Sequence, residues 1–172
     1  MRKRALLAPF VVFAFALTAT VASADAPVSG DGDLFYGPAA LLDMTTVGQT
    51  TFIDVGIDGT ISGPLNGTIE EQYTVVHHAR AGFNTYRGVL DFEGVVFDTE
   101  GVEHFGTLTL LTQGRQDPGM PFPTDTPWIM RWVIVEGGGE LEQVQGHGTG
   151  ILTLEEIGFV LDYEGQVHFS GH

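Results

Sequence analysis

Residues 158–169 read Gly-Phe-Val-Leu-Asp-Tyr-Glu-Gly-Gln-Val-His-Phe, and large apolar side chains occupy alternate positions along most of this stretch. Successive side chains of a β-strand point to opposite faces. One face therefore carries Phe159, Leu161, Tyr163, Val167 and Phe169, while the other carries Asp162, Glu164, Gln166 and His168. The pattern predicts a strand with one face packed and one in water, so we expect Phe159 and Tyr163 to be core residues.

The same alternation recurs along the chain. Tyr86 to Phe97 places Leu90, Phe92 and Val96 on one face. Further strands are predicted at Thr50–Val55, Gly59–Gly63, Thr68–His77, Val102–Thr112, Trp128–Val135 and Gly148–Leu154. Four Gly-Thr pairs mark turns at or near the heads of strands, and no extended helical pattern follows Ala24. The sequence predicts an all-β fold, a single antiparallel up-and-down β-barrel of about eight strands.

The segment before these strands has a different composition. Asp25 to Asp33 is rich in Gly, Pro, Ser and Asp, which predicts a flexible lead-in. Pro38 to Met44 has Pro at a first turn followed by apolar residues, which predicts a short helix of one or two turns, the alternative being coil. We therefore divide the chain into a lead-in, 25–48, and a barrel domain, 49–172. Asn66-Gly67 predicts the tip of a hairpin.

The first 24 residues have the pattern of a signal peptide. Arg2, Lys3 and Arg4 precede an apolar stretch, and Ala22-Ser23-Ala24 has the small-x-small form of a cleavage site. We expect export and cleavage before Asp25, which would give a soluble secreted or periplasmic protein. The alternative is an uncleaved signal anchor, since the apolar stretch approaches the length of a membrane span.

The charge of the chain excludes two classes of partner. Cleavage would leave four arginines and no lysine against 22 acidic groups, a net charge of −18. Nucleic acids and anionic membranes attract clustered Lys and Arg, so neither is an expected partner of the mature chain. The chain has no cysteine, so its core must form without disulfides. A homo-oligomer is compatible with the sequence.

Candidate ligand-binding residues are polar or aromatic side chains placed to face the barrel interior or its mouth. In Trp128 to Val135, Arg131 lies between Trp128 and Trp132. It either reaches outward to water or pairs inside the barrel with a carboxylate such as Glu70, Glu71 or Asp91. The full set of candidates is Glu70, Tyr73, Asp91, Phe122, Trp128, Arg131 and Trp132.

A proline-rich segment precedes this strand. Gly114 to Pro127 contains four prolines together with Met120 and Phe122. Loops of this length are typical of lids or binding loops. The segment is therefore either a lid over a barrel mouth or a stiff connection that covers a sheet edge.

The sequence predicts no metal site and no cofactor, and it contains no catalytic motif that identifies a catalytic residue. His77 and His78 are adjacent, so on a strand they point to opposite faces and do not share an ion. The other histidines have no spacing typical of a zinc site. No serine lies in a nucleophile-elbow motif.

Several glycine-rich motifs resemble those of one family. Val135 to Gly150, with the later Leu161-Asp162-Tyr163, is similar to the C-terminal part of small bacterial proteins in the allene oxide cyclase barrel-like superfamily. Gly63-Pro64-Leu65-Asn66-Gly67-Thr68 and the segment 86–94 also resemble that group. The resemblance covers most of residues 48–169. It implies an eight-stranded calycin-like barrel and carries over no catalytic residue.

Two function classes follow. The first is a secreted barrel that binds a small hydrophobic molecule in its interior or serves a structural role. The alternative is a cyclase or isomerase acting on a small apolar substrate, which needs polar groups inside. A strongly perturbed interior carboxyl beside a cavity favours the enzyme, whereas a solidly packed interior favours the structural role.

Overall fold

The computed structural model describes residues 27–116, 127–155 and 158–169. These residues form strands and turns. The strands are β1 (Val28–Tyr36), β2 (Ala40–Val47), β3 (Thr50–Ile61), β4 (Leu65–His78), β5 (Phe83–Phe97), β6 (Glu103–Gln116), β7 (Trp128–Gly139), β8 (Val144–Glu155) and β9 (Gly158–Phe169). The expected signal peptide and residue Phe122 lie outside the described residues.

The nine strands form one antiparallel sheet that closes into a ring. From β2 to β9 each strand pairs with its neighbour in sequence, and β1 pairs with β9. The ring closes because β1 also pairs with β3, at Leu34↔Ile61, Phe35↔Thr60 and Tyr36↔Gly59. The other half of the same edge of β3 pairs with β2. The prediction of an all-β antiparallel fold is confirmed.

The predictions for the N-terminal segment are wrong. The expected flexible lead-in contains β1, and the expected short helix over Pro38–Met44 is largely replaced by β2. Two predicted strands, Thr50–Val55 and Gly59–Gly63, are one strand, β3. Residues 39–42 favour a helix locally, but pairing with β3 supplies hydrogen bonds from outside the segment and overrides that preference.

The predicted hairpin tip is also displaced. The turn between β3 and β4 lies at residues 62–64, and Gly63 has a φ of 112°, which favours glycine. Asn66 and Gly67 are strand residues that pair with Val95 and Gly94. Gly67 is needed there because a Cβ would collide with the backbone of β5.

The core fills the inside of the ring. Leu90, Phe92 and Val96 are buried on one face of β5, as their alternation predicts. Tyr163 is buried, which confirms its predicted place in the core, and Phe159 packs against the core while half-buried. The largest fully buried apolar side chains are Phe92, Leu34, Ile69, Leu108, Leu141 and Val96.

Candidate functional site

A carboxyl group lies inside the ring. Glu71 is on the face of β4 that carries Ile69, Tyr73 and Val75, and only 2% of it is exposed. Its Oε2 accepts a hydrogen bond of 2.6 Å from the hydroxyl of Tyr36 on β1. Its Oε1 accepts one of 2.5 Å from the hydroxyl of Thr112 on β6. Strands β1 and β6 therefore each hold one carboxyl oxygen of Glu71, which extends from β4.

The protein environment raises the pKa of Glu71 above its ordinary value. Burial is the largest cause, because the charged form loses its hydration. The hydrogen bonds from Thr112 and Tyr36 lower the pKa and offset part of this effect. The result is a carboxyl that holds its proton to higher pH than an exposed glutamate.

Two more tyrosines surround this carboxyl. Burial, followed by the charge of Glu71, raises the pKa of Tyr73 to about 12. The same two causes raise the pKa of Tyr86 well above its ordinary value. Both phenols therefore stay protonated at neutral pH and can act as neutral hydrogen-bond donors.

The hydroxyl of Tyr86 is buried, and among the described residues it has no hydrogen-bond partner. It lies near enough to Thr112 for that hydroxyl to affect the pKa of Tyr86, but the two make no bond of acceptable geometry. Most buried polar atoms are paired, since leaving one unpaired costs about 1–3 kcal/mol. The Tyr86 hydroxyl is therefore a donor available to a bound group.

These polar groups border a small cavity, here named the Glu71 cavity. Its volume is about 30 Å³, enough for one or two water molecules. Its other walls are apolar or aromatic, and Trp128 packs edge-on against Tyr86 with ring centroids 5.7 Å apart. The complete lining is Tyr36, Ile57, Glu71, Tyr73, Val75, Tyr86, Trp128, Met130, Leu152 and Phe159.

Gly88 gives the site its close packing. A Cβ at this position would lie 2.8 Å from Oε1 of Glu71, 2.8 Å from Oγ1 of Thr112 and 2.8 Å from Cβ of Tyr73. Contacts of this length do not occur for real Cβ atoms, so any larger residue would displace the carboxyl or its partner. The glycine therefore lets β5 approach the buried carboxyl.

A second cavity lies further along the interior, here named the Trp132 cavity. It also has a volume of about 30 Å³ and is lined mainly by aliphatic and aromatic side chains of the core. Trp132 packs edge-on against Tyr163, with centroids 6.3 Å apart, and its buried Nε1 has no partner among the described residues. The Tyr163 hydroxyl donates to the carbonyl of Ser62 at 2.9 Å.

Near the end of β4, a polar network links three strands. Nδ1 of His77 donates to Oδ1 of Asn84 over 2.6 Å, and Nδ2 of Asn84 donates to Oε1 of Gln116 over 2.8 Å. Asn84 and Gln116 are each 1% exposed. The network satisfies buried amides and ties β4, β5 and β6 together.

The structure separates the candidates found from sequence. Tyr73 and Trp128 line the Glu71 cavity, and Trp132 lies in the second cavity. Glu70 and Asp91 are exposed on the outer face. Asp91 accepts a hydrogen bond of 2.8 Å from the hydroxyl of Thr109.

Arg131 is also exposed on the outer face of β7, so the predicted ion pair inside the ring is wrong. The reason is the alternation of the strand. Trp128, Met130 and Trp132 bury the face opposite to that of the arginine. The outward alternative for Arg131 is confirmed.

The ligand-binding candidates predicted from sequence omit four polar residues of the site, namely Tyr36, Glu71, Tyr86 and Thr112. Glu71 is predicted only as a possible partner of Arg131. Tyr36 lies in the predicted flexible lead-in, 25–48, where no alternation of apolar and polar residues predicted a strand. Tyr86 and Thr112 continue the buried faces of β5 and β6, and their alternation with Leu90 and Leu110 is a signal that could have found them.

A broad hollow of about 1480 Å³ lies on the outer surface and is lined mostly by exposed side chains. In the part of the chain that the structure describes, no three side chains of His, Asp or Glu come together as metal ligands. No helix among residues 27–116, 127–155 and 158–169 has the length and hydrophobicity to cross a bilayer.

Comparison with known proteins relates the chain by fold alone. No protein-family model matches it, and neither does any curated protein sequence. Its structure is similar to the crystal structure of a protein with unknown function from the DUF3224 family from Shewanella oneidensis MR-1. The two are 19% identical with a TM-score of 0.61, and the similarity covers 86% of this chain and 100% of that chain. At this level of identity, the two proteins share a fold.

Proposed function

We propose that this chain is an exported β-barrel that binds a small, mostly apolar molecule through one oxygen atom in the Glu71 cavity. The observation that carries this proposal is the unpartnered hydroxyl of Tyr86 beside a buried carboxyl and apolar walls. A ligand carbonyl or hydroxyl would accept the hydrogen bond that Tyr86 does not make within the described protein. The apolar walls would pack around the rest of the ligand.

The volume of the cavity limits the ligand. Sites for drug-sized molecules have volumes of about 300–1000 Å³, far above the 30 Å³ found here. A molecule larger than one or two waters must displace side chains. Tyr73, Leu152 and Phe159 are only half-buried, so they are the lining residues with room to move. The site therefore favours a compact ligand such as a cyclic ketone.

Acid–base catalysis is a second candidate function, and the raised pKa of Glu71 favours it. A general acid or base works best when its pKa lies near the working pH. With a ketone carbonyl held by the Tyr86 hydroxyl, the Glu71 carboxylate would take a proton from the adjacent carbon and return it at another position. Such a proton shift is an isomerisation, in line with the resemblance to the allene oxide cyclase barrel-like superfamily.

Binding is tested with the two tryptophans of the chain. In a Trp132→Phe background, Trp128 in the wall of the Glu71 cavity is the only remaining tryptophan. Titration with 2-cyclohexen-1-one, followed by the fluorescence of Trp128, is expected to show saturable quenching. Adding Tyr86→Phe is expected to weaken binding about tenfold, equivalent to 1.4 kcal/mol.

The matched control is Tyr163→Phe, which removes a hydroxyl from the other cavity. It should leave the affinity for the ketone unchanged. Equal affinities for the Tyr86→Phe and Tyr163→Phe proteins would contradict the proposed site, as would the absence of saturable quenching by a series of cyclic ketones.

The catalytic candidate has its own test. Proton NMR of the same ketone in D₂O reports exchange of the hydrogens next to the carbonyl. The wild-type protein is expected to accelerate this exchange and the Glu71→Gln protein is not. Equal exchange rates with both proteins would rule out Glu71 as the base while leaving the binding proposal standing.

A further inference from the structure

The outer face of β5, β6 and β7 carries three parallel rows of side chains. In the middle row, Val89 pairs with Leu111, and Leu111 pairs with Val133. These apolar residues are 43%, 46% and 41% exposed, respectively. Three aliphatic side chains in register on neighbouring strands form one continuous strip in contact with water, here named the apolar row.

A positively charged row lies on one side of the apolar row. Arg87 pairs with Gln113, and Gln113 pairs with Arg131. Both arginines are exposed. They are two of the four arginines that follow Ala24, and that part of the chain has no lysine. This row therefore concentrates half of the fixed positive charge that follows Ala24.

A negatively charged row lies on the other side. Asp91 pairs with Thr109, and Thr109 pairs with Glu136. Both acids are exposed. A bulge creates this row: the register shifts between Thr109 and Leu110, and Val135 becomes the extra residue of β7. Without the bulge, Val135 would lie opposite Thr109, so the irregularity places a carboxylate in the row.

We propose that this face binds a second copy of the chain. A twofold axis in the contact plane, running along the apolar row, would bring each row of one copy over the opposite row of the other. Arg87 of one protomer would lie over Asp91 of its partner, and Arg131 over the partner's Glu136. The two apolar rows would meet in the centre, away from water.

The arrangement of charge selects a second copy over an unrelated protein. Successive residues on one face of a strand are about 7 Å apart, so the charged rows lie at nearly equal distances from the apolar row. On β5 and on β7, the residue on one side of the apolar row is an arginine and the residue on the other side is an acid. A surface with this property is complementary to itself. A twofold contact between identical protomers requires a self-complementary surface, whereas a contact with an unrelated protein does not.

Analytical ultracentrifugation of the purified protein tests the proposal. We expect a dimer whose population increases with protein concentration. Leu111→Asp should raise the dissociation constant by more than about tenfold, because it buries a charge at the centre of the contact. Val47→Asp is the matched control: Val47 is 65% exposed on β2 and should have no effect.

Charge reversals identify the partner. Each variant tested by itself, Arg131→Glu or Glu136→Arg, should be monomeric. In a dimer of either variant, residues 131 and 136 of opposite protomers would carry the same charge at two symmetry-related places. An equimolar mixture of the two should form a heterodimer, since the introduced glutamate of one protomer then lies over the introduced arginine of the other, and the unchanged Arg131 lies over the unchanged Glu136. A monomeric wild-type protein, or a mixture that stays monomeric, would overturn the proposal.

Discussion

Replacing Tyr36 with phenylalanine tests how Glu71 is held. The substitution removes the 2.6 Å hydrogen bond to Oε2 and keeps the ring in place. Hydrogen bonds to a charged group contribute about 1.5–3 kcal/mol to stability, and those between neutral groups about 0.5–1.5 kcal/mol. The free energy of unfolding should therefore fall by the larger amount when Glu71 is ionised and by the smaller amount when it is protonated.

The same substitution changes the pKa of Glu71. Because the hydroxyl of Tyr36 favours the carboxylate, its loss raises the pKa of Glu71 further. The difference between the two stability losses is about 1–1.5 kcal/mol, equivalent to roughly one pKa unit. Urea denaturation of wild type and variant, from about pH 4 to about pH 9, measures this difference. The loss of stability should grow as the pH passes through the pKa of Glu71.

A matched control isolates the effect of the charge. Tyr163→Phe also removes a buried phenol hydroxyl, but its partner is the neutral carbonyl of Ser62 at 2.9 Å. It should cost about 0.5–1.5 kcal/mol at every pH. If Tyr36→Phe and Tyr163→Phe show the same pH-independent loss, then Glu71 does not ionise inside the protein and our account of the site is wrong.

Three further predictions concern the Glu71 carboxyl and the packing of the core. Glu71→Gln removes the carboxyl that titrates. As the pH rises above 4.5, the ordinary pKa of a glutamate, the melting temperature of the wild type should fall relative to that of the variant. The reason is that Glu71 loses its proton at lower pH in the unfolded state than in the folded state. Circular dichroism melts across pH measure this, and parallel curves would contradict it. Leu141→Ala should destabilise by about 2–5 kcal/mol in urea, because Leu141 is 0% exposed, and a loss below 1 kcal/mol would show that it is not in the core. Gly165→Ala places a Cβ against the ring of Trp132, so the free energy of unfolding should fall by about 1–3 kcal/mol and the tryptophan emission should shift. An unchanged emission spectrum would refute the close contact.

The sequence predicts strands well where a single strand alternates clearly. In β5, β7 and β9 the aromatic side chains and most of the other large apolar ones recur at alternate positions, so the buried face can be predicted even though valines and isoleucines also occur on the other face. β1 and β2 could not be found in this way. Every residue of β2 is exposed, so hydrophobic periodicity leaves no trace of the strand, and its pairing with β3 is not encoded locally.

The site was predictable in part. Glu70 and Glu71 are neighbours on β4, so one of them must face inward. The predicted ligand-binding residue, Glu70, faces outward and Glu71 faces inward. The face with Ile69, Tyr73 and Val75 carries more apolar surface than the face with Thr68 and Thr74, which is the signal that identifies Glu71. The contact with Tyr36 spans 35 residues and depends on closure of the ring, which no local pattern reports.

Closure of the ring has a consequence for the order of folding. Only three residue pairs join β1 to β3, whereas twelve join β3 to β4. β1 is also paired along eight residues with β9, near the opposite end of the chain. The ring is therefore incomplete until β9 has been synthesised, and the pairs between β1 and β9 that complete it are the most distant in sequence. Such contacts form slowly because a long loop must first be ordered. The chain can thus emerge from the ribosome with β2 to β8 already paired and β1 not yet joined to β9.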